Sequence, residues 1–286
     1  MRLLVRIGRA FYAIALFVYG CQQVYFGSFR DVFFSVYQHH LPFLRMLASL
    51  FGLYLIITGA FVVGSGSGKK AALLLGAVWL TLFLGTHLTY ELISEPNKLY
   101  HLGLWTAPLK ELALAGGAFV VAYSFETPLN GRLAVLEKIM PYGNLFFLYT
   151  MTSFGVSHII YAEFLVKTVP DWMANPLFWV NLTGIALVAS GIAIMLGIRI
   201  RIIALLLSLM IFLWFWLVHV PGAHSDPVGN RGNLLASAFD ALAYSGVALL
   251  IGLTMKRQKW VEDIEHWGNE STHRMDQRTT GKHETK

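Results

Sequence analysis

The chain has a single cysteine, Cys21, in 286 residues. It can therefore close no internal disulfide and holds no CxxC redox pair, so any thiol–disulfide chemistry must come from a partner. Charge is scarce as well, at 13% of residues, where soluble domains carry about 25%. Set against 56% hydrophobic residues, that shortage excludes an ordinary soluble fold. The apolar runs lack the alternation of polar and apolar residues that a lipid-facing barrel strand needs, which excludes a β-barrel. A phosphate loop is missing too. GSGSGKK at 64–70 has no glycine pair at the required spacing with Ser or Thr after the lysine, and it joins two apolar runs. It reads as a tight turn anchored by Lys69 and Lys70.

What is present is apolar length. Eight runs, at 8–28, 42–64, 71–93, 104–123, 143–165, 176–197, 202–220 and 234–254, reach the roughly 17–25 residues that cross a bilayer. Backbone polar groups in lipid must be satisfied within the segment, so these runs are expected as helices. The expected fold class is all-α integral membrane, with eight transmembrane helices. Arg2, Arg6 and Arg9 before the first run, and Gly20–Cys21 near its end, mimic a signal peptide. Tyr19 fits a small-residue cleavage site poorly, and the run is expected to be retained.

Eight spans put the N-terminus, the 65–70, 124–142 and 198–201 loops and the tail from 255 on one side. Arg2, Arg6, Arg9, Lys69, Lys70, Arg132, Lys138, Arg199, Arg201 and seven Lys/Arg of the tail lie there. The other side has Arg30, Lys98, Lys167 and Arg231, with Arg45 just inside the second span. The positive-inside rule then places both termini in the cytoplasm of a multi-pass protein of the cell inner (plasma) membrane. The net charge of +6 is a topology signal and gives no support for nucleic-acid binding.

The two halves match. Gly8, Phe11 and Gly20 align with Gly143, Phe146 and Gly155 at an offset of 135. Gly52 and Gly59 align with Gly184 and Gly191 at 132, a register that also sets His87 on His219. Glu111 and Gly117 align with Asp240 and Gly246 at 129. Four spans per half give both halves one orientation, a parallel duplication. The expected units are a first four-helix repeat at 1–123, a cytoplasmic linker at 124–142, a second repeat at 143–254 and a charged cytoplasmic tail at 255–286.

Polar residues inside the spans are costly, about 2.5–3.5 kcal/mol for a charge at the bilayer centre. Here they gather at one depth. His87 and His219 come late in spans three and seven, and Glu111 and Asp240 early in spans four and eight. Gln23 and His158 occupy matching places in spans one and five, and Glu91 follows His87 by one turn. Lys110 beside Glu111 points about 100° away from it, so the two cannot neutralise each other. Glu111 is expected to meet His87 or the hydroxyl and amide groups of spans one and three, and Lys110 to reach for the outer interface. Proton handling falls to His87, Glu111, His219 and Asp240. Ligand contacts fall to Gln23, Glu91, Lys110, His158 and Arg231, the last in the Pro221–Asn233 stretch expected as a connector above the site. The competing reading is that these groups only hold helices together, at about 0.6 kcal/mol per hydrogen bond. No metal site is expected. Haem iron on His87, His158 or His219 stays open, although nothing in their spacing demands it. The tail after Lys256 has no apolar core pattern, and its KRQKWVEDIEHW stretch is expected at the inner interface.

Each half resembles the DoxX-like family of four-helix membrane proteins. The resemblance rests on Arg6-Ile7-Gly8 with Phe11 and Gly20, and on the fourth span from Lys110 to Gly117, whose second copy, Phe239 to Gly246, is degraded. It implies a membrane component of a quinone-linked oxidoreductase system, with quinone as cofactor and with membrane lipid and a redox protein as partners. Whether the chain itself catalyses is left open by these residues. Two further classes compete: a scaffold or assembly factor without chemistry, and a small-solute transporter. The transporter is the weaker, because no Gly/Pro-broken span recurs in both halves.

Overall fold

The computed structural model describes residues 1–34, 42–64, 66–94, 96–129 and 131–255. Residues 256–286, with the stretch expected at the inner interface and the seven basic residues of the tail, lie outside the described residues. Among the described residues the regular structure is entirely helical. Six helices are long and apolar enough to cross a bilayer: α1 (Arg2–Phe26), α2 (Leu44–Gly64), α3 (Gly68–Ser94), α6 (Pro176–Met195), α7 (Ile200–Ser225) and α8 (Gly229–Thr254). Between them lie α4 (Thr106–Tyr123) and α5 (Gly143–Ile160), each of 18 residues. The chain turns by 88° after Ile160, and counted with the segments on either side as one bent span, α5 makes a seventh. At about 1.5 Å per residue, 18 residues reach about 27 Å, and α4 spends two of them on Lys110 and Glu111.

Depth of burial separates the helices into two classes. Every residue from 111 to 122 of α4, and from 240 to 248 of α8, is buried. A helix apolar all round and buried all round is a core helix. By contrast α2 exposes Leu50, Leu53 and Ile57, and α6 exposes Leu182, Ile185 and Ile192, the apolar surface that lipid covers. The helix carrying Glu111 and the one carrying Asp240 therefore form the centre of the bundle.

Neighbouring helices follow one pattern. α1 lies on α2 as α5 lies on α6, α3 on α4 as α7 on α8, and α1 on α8 as α4 on α5. Glycines mark the close crossings, where lipid offers no hydrophobic drive and small residues let backbones approach. A Cβ at Gly52 would lie 2.6 Å from the carbonyl oxygen of Gly20, and one at Gly155 would lie 2.6 Å from that of Gly184. Likewise Gly59 faces the carbonyl of Ala13, and Gly191 that of Leu148. Gly155→Leu must push α5 off α6, and the expected cost is about 1–3 kcal/mol of stability. Gly85→Ala, where an added Cβ meets nothing within 4 Å, is the neutral control in the same thermal-unfolding series.

Three local departures from the sequence expectation have physical causes. First, α1 begins six residues before the expected 8–28 run. Arg9 stays inside it because its Nε donates to Ser124 Oγ at 2.8 Å and its guanidinium lies 3.6 Å from the centre of the Phe125 ring. Second, α3 and α7 contain π-helical turns at Phe83–Leu88 and Phe215–His219. In α7, Pro221 has no N–H for the carbonyl of Leu217, four residues earlier, which loosens that turn. In α3 the hydroxyls of Thr86 and Thr89 donate to the carbonyls of Leu82 and Leu84. Third, the stretch from Pro221 to Asn233, expected as an open connector, is largely helical. α7 runs to Ser225 and α8 starts at Gly229, with a kink where Asn230, Arg231 and Gly232 all have positive φ.

The start of α3 is fastened at Lys69. Lys69 is buried, its Nζ lies 2.5 Å from Glu137 Oε1 and donates to the Thr127 carbonyl at 2.7 Å.

Candidate functional site

After α1 the chain does not leave the bundle. Gly27, at φ 62°, caps the helix in the left-handed region, with its N–H on the Gln23 carbonyl. Only glycine adopts that conformation without strain. The next residues fold back, and Phe33 becomes fully buried between the Tyr19 and Trp79 rings, at centroid distances of 5.6 and 5.7 Å. This fold-back delivers Arg30 and the Val32 carbonyl to the core.

Two polar groups result, one on each side of α4. On the α3 side, Glu111 is fully buried and neither carboxyl oxygen has a hydrogen-bond partner. Nε2 of His87 lies 3.6 Å from Glu111 Oε2, beyond a hydrogen bond, and donates instead to the Val32 carbonyl at 3.0 Å. That bond fixes the His87 tautomer, with the proton on Nε2 and a lone pair on Nδ1. His87 sits in the π-helical turn of α3, a distortion that recurs at functional sites.

On the α8 side, Asp240 is 2% exposed and gathers three partners. Tyr19 Oη donates to its Oδ1 at 2.6 Å. Lys110 Nζ lies 3.1 Å and Arg30 Nη2 3.5 Å from its Oδ2. Lys110 also donates to Ser237 Oγ at 3.2 Å. The Arg30 guanidinium lies 4.4 Å from the centre of the Tyr19 ring and 5.1 Å from that of Phe33. Since Lys110 and Glu111 are neighbours on α4, the contacts they make hold both groups at one level of the bundle.

The 100° between adjacent helix positions explains the Lys110–Glu111 pair. One side chain turns to α3 and the other to α8. Lys110 does not run to an interface, as the sequence suggested; it crosses to the acid of α8. Nor does His219 take the place at Asp240 that His87 takes at Glu111. His219 is half-buried and within electrostatic reach of Lys110, Asp240 and His158.

The other expected contact residues scatter. Gln23 is fully buried, and neither amide atom has a hydrogen-bond partner. Glu91 is buried one turn past His87. His158 donates from Nδ1 to the Phe154 carbonyl of its own helix at 2.7 Å. Arg231 leaves the site, with Nη2 on Asp31 Oδ1 at 2.6 Å in an exposed pair. Among the described residues no three His, Cys, Asp or Glu side chains come together as a metal-holding group.

Arg30 and Tyr19 were not among the residues expected from sequence. Arg30 reads as a loop residue, yet Phe29, Phe33 and Phe34 around it are the signal that this loop returns to the core. Comparison with models of known families, with curated proteins and with solved structures finds no match to this chain.

Proposed function

We propose that the chain is a quinone-linked electron-transfer component of a membrane oxidoreductase system, with the Glu111–His87 pair as its proton-handling centre. In this reading it is an eight-span, DoxX-like protein of the inner (plasma) membrane. Two four-helix repeats, 1–123 and 143–254, are joined by a cytoplasmic linker, and both termini are cytoplasmic. The glycine crossings Gly20–Gly52 and Gly155–Gly184, and the π-helical turns bearing His87 and His219, recur at the offsets of the sequence repeat and support the duplication.

One observation carries the functional reading. Glu111 is a fully buried carboxyl without a hydrogen-bond partner, next to a histidine, in a membrane helix. Leaving such a group unsatisfied costs about 1–3 kcal/mol, and intramembrane acids with adjacent histidines are the parts of proton relays. A quinone ring reduced to the quinol takes up two electrons and two protons. The electrons come from a redox partner protein. The Glu111 carboxyl would give one proton to a ring oxygen, and His87, its Nε2–H held by the Val32 carbonyl, would relay the second by taking it from water at Nδ1 and passing it to the other ring oxygen.

The test is quinone content. Lipid extracted from the purified protein is expected to hold close to one quinone per chain, or added short-chain quinone to bind in that ratio. A preparation that neither holds nor binds quinone overturns the reading and leaves the scaffold.

A further inference from the structure

We propose that Arg30 and Lys110 bind an oxyanionic group, a carboxylate or phosphate, beside Asp240. The inference rests on a charge count and does not depend on the quinone reading. Two cations, Arg30 and Lys110, face one anion, Asp240, in side chains 8%, 18% and 3% exposed. Glu111 does not restore the balance, since it turns to His87 on the other side of α4. Tyr19 Oη is already donated to Asp240, and His219 can add only positive charge. Among the described residues in contact with Asp240, one positive charge is left over. Buried charges are found paired because an unpaired one loses its hydration with nothing to replace it.

Arg30 shows where the missing anion belongs. Neither terminal nitrogen of its guanidinium has a hydrogen-bond partner, and Asp240 at 3.5 Å is too distant for one. The Tyr19 and Phe33 rings fix the guanidinium in place. A planar, pre-oriented fork of donors matches an oxyanion with two oxygens, and a lysine ammonium at its side supplies the second charge. Both cations belong to the first half of the chain and the acid to the second. The position equivalent to Lys110 is Phe239, so the Glu111 side has no such arrangement.

The same chemistry is offered by a free oxyanion and by a lipid phosphate, and one experiment separates them. Full-length protein in uncharged detergent is unfolded thermally while sodium phosphate is titrated against sodium chloride at equal ionic strength. Wild type is expected to gain several degrees saturably. Arg30→Gln is expected to weaken the apparent affinity at least tenfold. Asp240→Asn, which raises the net positive charge, is expected to strengthen it about tenfold, an outcome that a merely structural cluster does not produce. If Arg30→Gln does not yield a monodisperse protein, Lys110→Met takes its place with the same expectation. In nanodiscs, phosphatidylglycerol added to phosphatidylcholine raises the melting temperature and removes the phosphate response if a lipid headgroup is the ligand. The phosphate response persists in both membranes if the ligand is a free oxyanion. Equal responses in wild type, the cation variant and Asp240→Asn, or none from phosphate or phosphatidylglycerol, overturn the proposal.

Discussion

Asp240→Ala, with Arg30 and Lys110 left in place, is expected to destabilise the protein by about 3–5 kcal/mol, the usual cost of removing one partner from a buried ion pair. Most of that cost is not a lost attraction. It is the exposure of two buried cations to each other and to an apolar surround, with Tyr19 Oη also losing its acceptor. The charge count makes a sharper expectation. Adding Lys110→Met to Asp240→Ala returns the site to one uncompensated cation, as in wild type. The double variant should therefore be more stable than the Asp240→Ala variant. Reversible unfolding of the four members of the cycle checks this; strictly additive losses would show that Lys110 and Asp240 do not share one electrostatic group.

The second large effect is on the proposed quinone chemistry. Glu111→Gln keeps volume and polarity but removes the exchangeable acid proton. Because neither oxygen of Glu111 has a hydrogen-bond partner, the substitution is expected to leave the melting temperature nearly unchanged. Quinone-linked turnover in isolated membranes should fall by about 10²–10⁴-fold, the usual contribution of a positioned acid–base group. Quinone binding should survive within about tenfold. The split between intact binding and lost turnover distinguishes a proton-transfer role from a packing role. Unchanged turnover in this variant would remove Glu111 from the chemistry.

Much of this arrangement is legible in the sequence, for identifiable reasons. The His87–Glu111 neighbourhood follows from span order and from depth, because a late position in one helix and an early position in the next share a level. The duplicated glycines stand out against a background of leucine, since close crossings tolerate no side chain. Other features are set by packing and leave weaker traces. The direction of Lys110 depends on α4 lying between α3 and α8, which no single span encodes. Arg30 enters the core because the chain folds back after Gly27, and such a non-periodic turn gives no helical or strand pattern to read. The π-helical turns have local causes, Pro221 in one and threonine hydroxyls in the other, that become meaningful only once the helices are placed. The 88° bend after Ile160 was likewise hidden inside what read as one apolar run from 143 to 165.

The central proposal is that two four-helix units stand in the membrane with the same orientation, and that this brings the acids of α4 and α8 together at one level. Cysteine accessibility tests it most directly. With Cys21 replaced by serine, single cysteines are placed at positions 2, 67 and 199, in the C-terminal tail, and at positions 98 and 171. Labelling of intact cells or spheroplasts with a membrane-impermeant maleimide is expected to reach positions 98 and 171 and to spare the other four until the membrane is opened. An N-terminal site and a tail site labelled from opposite faces would contradict the parallel duplication and the shared depth of Glu111 and Asp240 that rests on it.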